Sequence, residues 1–452
     1  MSEDSIVPAK PGKLPRATRW REGSLRQTEL LEGKMAGTSS PSTVSTKLQQ
    51  IARLAKAAPT MVCTTLAHVI DVAFLHEAYR RTRKDGATGV DGQTAEGYAA
   101  NLDANLASLL IRLKTGTYHA PPVRRAYVPK DDGKQRRPIG IPTFEDKVLQ
   151  RAVAMVLEAV YEQDFLSCSY GFRPGRSAHQ ALQALWEGVM SMRGGWVLAL
   201  DIERYFDTLD GYHLRRFLDH RVRDGVIRRT IDKWLKAGVM EEGRVTHPDT
   251  GVPQGSGVAP ILANVYLHEV LDVWFEQVVT PRLTGAARLI RFADDAVIVC
   301  AQARDAQRLM AVLPQRFGRY GLRLHPAKTR LVPFQRPPWR ATGARHHHAT
   351  WPGTFAFLGF THYWGRSRRG NWVVQRKTAT TRFSRALKRT SVWCRQHRHA
   401  KVAWQHQQLV GKLRGHYAYY GITGNLEALR TFRREVTQRW RKWLQRRSQR
   451  HR

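Results

Sequence analysis

The sequence predicts an α+β protein, because apolar residues recur at helical spacing near both ends of the chain while the middle switches to strands, and no internal repeat is found. Residues 1–46 mix Pro8, Pro11, Pro15 and Pro41 with Ser, Thr, Gly and charges of both signs, which reads as a flexible leader. From about Leu48 to Leu113 the helical period is interrupted by Lys84-Asp85-Gly86-Ala87-Thr88-Gly89-Val90-Asp91-Gly92, so helix, loop, helix is expected. Two short β-rich runs, Tyr127-Val128-Pro129-Lys130 and Arg136-Arg137-Pro138-Ile139-Gly140-Ile141, flank Asp131-Asp132-Gly133-Lys134 and predict a basic hairpin. Val148, Leu149, Ala152, Val153, Val156, Leu157 and Val160 then trace one helical face. Ser177 can cap a second helix whose stripe is Ala178, Ala181, Leu182, Leu185 and Val189.

In the middle, Trp196-Val197-Leu198-Ala199-Leu200 is a strand running into Asp201. Arg288-Leu289-Ile290-Arg291-Phe292 and Ala296-Val297-Ile298-Val299-Cys300 form a hairpin with Asp294 and Asp295 at its tip. Between them Gly251-Val252-Pro253-Gln254-Gly255-Ser256-Gly257 is a Gly/Pro-rich loop that feeds the stripe Leu262, Val265, Tyr266, Leu267. After about Gly365 the composition predicts Arg/Trp/Gln-rich helix, with 24 Lys+Arg against two acids in residues 366–452.

Composition narrows the function. The 452 residues are enough for two to four domains. Lys+Arg 74 against Asp+Glu 37 gives a formal charge of +37, far beyond what solubility requires, so a polyanion is the expected partner. With 42% apolar residues and 13 Trp the chain is too hydrophobic to be only a basic tail. Cys63, Cys168, Cys300 and Cys394 lie far apart, which excludes a CxxC zinc site and fits a reducing compartment. The N-terminus carries no apolar signal region and no apolar run approaches 18 residues. A cytoplasmic protein is expected, with nucleic acid rather than a membrane as its polyanion.

In so basic a chain, carboxylates at strand ends need an explanation. Asp-Asp is a common solvated turn, but Asp201 and Asp294-Asp295 could converge where a sheet meets a cleft, and such a trio binds divalent metals. The C-terminal region interleaves Trp393, Trp404, Tyr417, Tyr419, Tyr420, Trp440 and Trp443 with Arg385, Arg389, Arg414, Arg441, Arg446 and Arg447, a mixture that stacks bases and neutralises phosphates; its periodic Trp and Leu also serve a helical core. His346-His347-His348 has no partner acids nearby and reads as a surface loop.

Strand-Asp, Pro-Gln-Gly loop and aromatic-Ala-Asp-Asp hairpin, in that order, resemble the reverse transcriptases. The nearer resemblance is to group II intron-encoded reverse transcriptase/maturases, carried by Gly89-Val90-Asp91-Gly92, Arg137-Pro138-Ile139-Gly140-Ile141-Pro142 and Ser169-Tyr170-Gly171-Phe172-Arg173-Pro174-Gly175-Arg176-Ser177. Gly321-Leu322-Arg323-Leu324, Lys328-Thr329, Phe357-Leu358-Gly359-Phe360 and Arg414-Gly415-His416-Tyr417 extend it over roughly residues 48–447. The resemblance implies a right-handed polymerase fold: fingers and palm over 47–365, the palm with an antiparallel sheet, followed by a helical basic thumb or maturase region over 366–452.

It also implies roles. Asp201, Asp294 and Asp295 would be catalytic and hold two Mg²⁺ ions, with the Ile202 carbonyl as a further ligand. Lys130 and Arg137 would grip the triphosphate of a deoxynucleotide, Arg as a fork and Lys as a point charge, although either could be ordinary surface charge. Phe206, five residues after Asp201, would exclude a ribose 2′-OH or else be a core aromatic. Gln254 would contact the template–nucleotide pair, with Gly255 allowing close approach. Lys328 would be a general acid or phosphate stabiliser, and Phe357-Leu358-Gly359-Phe360 a primer grip or plain core. The implied partners are structured intron RNA, an RNA template and a DNA primer.

Three departures stand out: Phe292 where the family usually has Tyr, Ser256-Gly257-Val258-Ala259 after the Gln-Gly pair, and His416 where Trp is common. Relatives often continue into a DNA-binding segment and a Cys/His nuclease, and with Cys394 the only cysteine after Cys300 no nuclease cluster is expected here. The rival readings are a maturase that binds RNA without polymerising and a reverse transcriptase domesticated for host defence or repair.

Overall fold

The computed structural model describes residues 43–129, 136–247, 251, 255–338 and 353–447. Along the chain come α1 (Val44–Ala57), α2 (Val72–Arg81), α3 (Ala95–Ala99), α4 (Leu102–Thr115), β1 (Val123–Pro129) and β2 (Arg136–Ile141). Then follow α5 (Phe144–Tyr161), α6 (Ala178–Ser191), β3 (Trp196–Leu200), α7 (Tyr205–Thr208), α8 (Gly211–Asp219) and α9 (Gly225–Lys236). β4 (Val239–Glu241), β5 (Arg244–Thr246) and α10 (Ala259–Leu267) lead to β6 (Ala287–Phe292), β7 (Asp295–Cys300), α11 (Ala303–Gly318) and β8 (Arg330–Pro333). β9 (Phe355–Phe357), β10 (Phe360–Arg366), β11 (Trp372–Thr378), α12 (Thr380–Gln396), α13 (Val402–Tyr420) and α14 (Leu426–Gln445) complete it. Helix and mostly antiparallel sheet are mixed, as α+β predicts.

The described residues divide into two compact units, interleaved in sequence: those up to Val128, within 137–166 and within 204–282 in one, and those within 129–136, within 167–203 and from Leu283 on in the other.

The first unit is built on α5. Thr143 caps it through the Asp146 N–H, and Glu145 and Asp146 place negative charge in the first turn, where the exposed amides favour it. The sequence predicts one buried face, yet Ala154, Met155 and Tyr161 are buried as well. α1, α2 and α10 all pack on this helix, so its buried surface is wider than one face, while Glu145, Lys147, Arg151 and Glu158 stay half-exposed. α1 begins at Val44, inside the stretch read as leader, because Thr43 caps it through the Thr46 N–H. β1 and β2 are neighbours in the sheet order β2-β1-β4-β5, as the hairpin reading expects, and Val123 pairs with Val239 to make β1 and β4 parallel. The hairpin's turn, with Lys130, lies outside the described residues.

The second unit is built on the antiparallel sheet β6-β7-β3-β8. Its strands are apolar on both sides: Val197, Val299 and Val297 pack with Leu182, Leu185 and Val189 of α6, while α11 packs on β3 and β7. Ser177 caps α6 in a full capping box with Gln180, as its sequence predicts. A second antiparallel sheet, β11-β10-β9, joins the same core through Phe355, Phe360, Trp364 and Val374, and Trp186 Nε1 donates to the Val374 carbonyl at 3.0 Å.

β11 corrects the reading of continuous helix after Gly365. Trp372-Val373-Val374-Gln375-Arg376-Lys377-Thr378 alternates buried with less buried positions and is rich in β-branched residues, so strand pairing with β10 wins despite its positive charge. Helix begins only at Thr380, and α12, α13 and α14 pack around Leu387, Cys394, Leu409, Phe432 and Val436. Among the described residues no helix is long and apolar enough to cross a membrane.

Candidate active site

The second unit brings three predicted acids together. β3 ends at Leu200, which pairs with Ala296 of β7, so Asp201 and Asp295 stand one position beyond that pair on neighbouring strands. Phe292 pairs with Asp295 across the β6–β7 hairpin, which leaves Ala293 and Asp294 as its two-residue turn. Ala293 has φ +57°, a left-handed conformation that a residue with a Cβ adopts only where surrounding structure holds it.

Electrostatics reflect the convergence. Asp295 is exposed by surface area, yet the protein packed around its carboxyl costs it hydration, and this, followed by the negative charges of Asp294 and Asp201, pushes it up to about 6. Arg382 of α12 and Lys328 oppose the shift. Lys328 Nζ donates to Asp201 Oδ2 at 3.1 Å.

Asp201 is fixed through its backbone. Its carbonyl accepts from His325 N–H at 2.8 Å, and Glu203 N–H donates to the Arg323 carbonyl at 2.8 Å. These two bonds flank the antiparallel bridge of Ile202 with Leu324, a pair that exchanges no bonds itself, so the Ile202 carbonyl stands outside the bridge's bonding. The residues Gly321-Leu322-Arg323-Leu324 and Lys328-Thr329 thus serve to hold the Asp201 end of β3, and buried Thr329 adds 3.4 Å contacts to both the Asp201 amide and carbonyl.

Among the described residues no group of three or more His, Cys, Asp or Glu side chains is arranged to hold a metal ion. The donors nonetheless fit Mg²⁺ in kind, being hard carboxylate oxygens whose mutual repulsion a divalent cation relieves.

The other predicted residues fall elsewhere. Arg137 and Phe206 belong to the first unit, where Arg137 is exposed on β2 and Phe206, on α7, is half-buried with its ring centroid 5.4 Å from that of Tyr205. Lys130, Gln254 and His346-His347-His348 lie outside the described residues. Gly255 has φ +109°, and a Cβ there would stand 2.6 Å from the Gly140 carbonyl oxygen, so its missing side chain serves contact within the protein. Gln150, not anticipated from sequence, holds the residues that follow: its Oε1 accepts from Ser256 Oγ at 3.0 Å and Gly257 N–H at 2.8 Å. Phe357 and Phe360 are buried around the turn that joins β9 to β10, and the Leu358 carbonyl accepts from Tyr419 Oη at 2.9 Å.

In the C-terminal helices much of the aromatic content is structural. Trp393 stacks on Trp404 at 5.8 Å, Trp440 Nε1 donates to Gln405 Oε1 at 2.9 Å, and Trp443 Nε1 to Ser391 Oγ at 3.3 Å. Arg447 donates to the carbonyls of Arg398 and Ala400 and is a fastener of the bundle. Arg389, Arg414, Arg441, Lys442 and Arg446 remain exposed. Arg382 was missed because nothing in its local sequence distinguishes it from the other arginines of α12.

The sequence model of the reverse transcriptase (RNA-dependent DNA polymerase) family matches residues 128–362, just over half of the chain. Group II intron-encoded protein LtrA of Lactococcus lactis subsp. cremoris is 39% identical over 182 residues, 40% of this chain and 30% of LtrA. Protein YkfC of Escherichia coli (strain K12) is 38% identical over 208 residues, 45% of this chain and 53% of YkfC. An uncharacterized 91 kDa protein in a cob intron of Schizosaccharomyces pombe is 35% identical over 188 residues, 42% of this chain and 22% of that protein. The chain spans about half or less of the length of these curated relatives. With Asp201 and Asp295 on adjoining strand ends and Asp294 in the turn beside them, all inside the matched segment, the chain belongs to the reverse transcriptase family, on the side of the group II intron-encoded reverse transcriptases and maturases.

Proposed function

We propose that this protein is an RNA-directed DNA polymerase of group II intron type that adds deoxynucleotides to a primer 3′ end and binds intron RNA to assist its splicing. The observation that carries the reading is the approach of Asp201 and Asp295 on adjacent strand ends, with Asp294 in the turn next to Asp295 and Lys328 bonded to Asp201. Asp201, Asp294 and Asp295, with the Ile202 carbonyl, would hold two Mg²⁺ ions, which when bound activate the primer hydroxyl and stabilise the departing oxygen. Lys328, freed from Asp201, reaches the departing pyrophosphate as a proton donor or counter-charge. Arg137, with Lys130, binds the triphosphate; Phe206 blocks a ribose 2′-OH; Gln254 meets the template–nucleotide pair. Residues 47–365 act as fingers and palm, and 366–452 as a thumb whose exposed Arg389, Arg414, Arg441 and Arg446 meet RNA phosphates.

A DNA primer annealed to an RNA template, with deoxynucleotides and Mg²⁺, tests the reading, and templated extension is expected. A second reading has support of its own: nuclear intron maturase 3, mitochondrial, of Arabidopsis thaliana is 32% identical over 127 residues. Tight RNA binding and faster splicing without extension would establish that maturase reading and overturn polymerisation.

A further inference from the structure

The acidic hairpin rests on a buried support. Arg291, in β6 three residues before Asp294, is fully buried. A guanidinium does not shed its charge, so its burial requires acceptors for its N–H groups. Nη1 donates to the Ala293 carbonyl at 3.0 Å and Nη2 to Ser169 Oγ at 2.8 Å. Ser169 is itself fully buried, and its carbonyl accepts from Arg173 Nη1 at 2.8 Å. Residues 168–171 run beside β6 like an added strand: Tyr170 N–H donates to the Arg291 carbonyl and Arg291 N–H to the Cys168 carbonyl, both at 2.8 Å. Gly171 seals the contact, since a Cβ there would stand 2.2 Å from Ala293 N and 2.8 Å from Phe292 C.

We propose that Arg291, Ser169 and Gly171 are positioning residues for Asp294 and Asp295: the buried guanidinium pins the carbonyl at the turn, and the bare glycine lets residues 168–171 brace the turn from behind. This gives a task to the start of the 169–177 motif, which the polymerase reading leaves unused. Buried and bonded to the Ala293 carbonyl, one residue before Asp294, the Arg291 guanidinium sets where the carboxylates point.

The inference rests on the polymerase reading for its kinetic readout and is tested by Gly171→Ala, Ser169→Ala, Arg291→Met and Arg291→Lys in the full chain. In single-nucleotide incorporation, Gly171→Ala and Arg291→Met are expected to lower kcat about a hundredfold, with KM for the deoxynucleotide and primer–template affinity unchanged. Mn²⁺ affinity by titration calorimetry should weaken about tenfold in the same variants. Arg291→Lys, which keeps a donor for the turn, should recover part of the loss. If the larger changes prevent folding, Ser169→Ala decides, with about a threefold fall in both quantities at an unchanged melting temperature. Folded variants that match wild type in kcat and Mn²⁺ affinity would overturn the proposal. A wild-type protein that extends no primer would overturn the polymerase reading instead, while Mn²⁺ affinity would still report on the hairpin.

Discussion

Lys328→Ala separates a structural from a chemical role by magnitude. Lys328 Nζ lies 3.1 Å from Asp201 Oδ2, with the two side chains 61% and 32% exposed. An ion pair this open to water is worth about 0.2–1 kcal/mol, because hydration and salt compete with it. Were that its whole contribution, its loss would lower kcat by at most about fivefold and move the melting temperature by at most a few degrees. A proton donated to the departing pyrophosphate is worth about 10²–10⁴ in rate. Single-nucleotide incorporation with primer–template already bound, measured beside a thermal melt, therefore gives two well-separated outcomes. For a proton donor, kcat is expected to fall by about a hundredfold or more with stability almost unchanged. A fall of less than about fivefold would reduce Lys328 to a counter-ion for Asp201.

Three further outcomes follow from other parts of the molecule. Phe206→Ala is expected to raise ribonucleotide use relative to deoxynucleotide use by about tenfold or more, since the ring acts by repulsion; an unchanged ratio in single-nucleotide incorporation leaves Phe206 a packing residue. Burial, reinforced by Glu145 and Asp91 and opposed by the Tyr118 hydroxyl and Arg112, pushes the Asp146 carboxyl up to about 7. A carboxyl raised above its unfolded value stabilises the fold at low pH and loses that contribution as pH rises from about 4 through 7, a few kcal/mol in total. Asp146→Asn should therefore gain stability relative to wild type across that window in pH-dependent denaturation, and a constant difference would contradict the assignment. Replacing exposed Arg441, Lys442 and Arg446 with Gln should flatten the salt dependence of RNA binding by about 0.7 in log–log slope for each phosphate left without its cation; an unmoved slope places the RNA surface elsewhere.

The central strands were legible in the sequence because β3, β6 and β7 are short, mostly apolar runs ended by acids or turns, and the hairpin carries its two aspartates where the pattern puts them. β11 was not, because its charge and its Trp match the helices after it, and its period of two becomes visible only against β10. The wide burial of α5 was hidden for a related reason: Ala154 and Met155 lie off the stripe that the sequence shows, and only neighbouring helices cover them. In the site, the acids declared themselves by being rare in a basic chain. Arg291 had a signal that went unread, a charge inside an apolar strand, which folding permits only with buried acceptors. Arg382 and Gln150 had none, since their roles arise from chain segments far away in sequence.

The most direct test of the account is extension of a DNA primer on an RNA template with Mg²⁺ by wild type and by Asp294→Asn, with template binding measured on both. Asp294 lies in the hairpin turn, and its negative charge reaches Asp295. The substitution keeps the side chain's shape while removing an anionic oxygen from the set. Templated extension is expected from wild type, none above background from the variant, and RNA affinity equal within about twofold, because phosphate contacts dominate binding. Extension by Asp294→Asn at the wild-type rate would contradict the site.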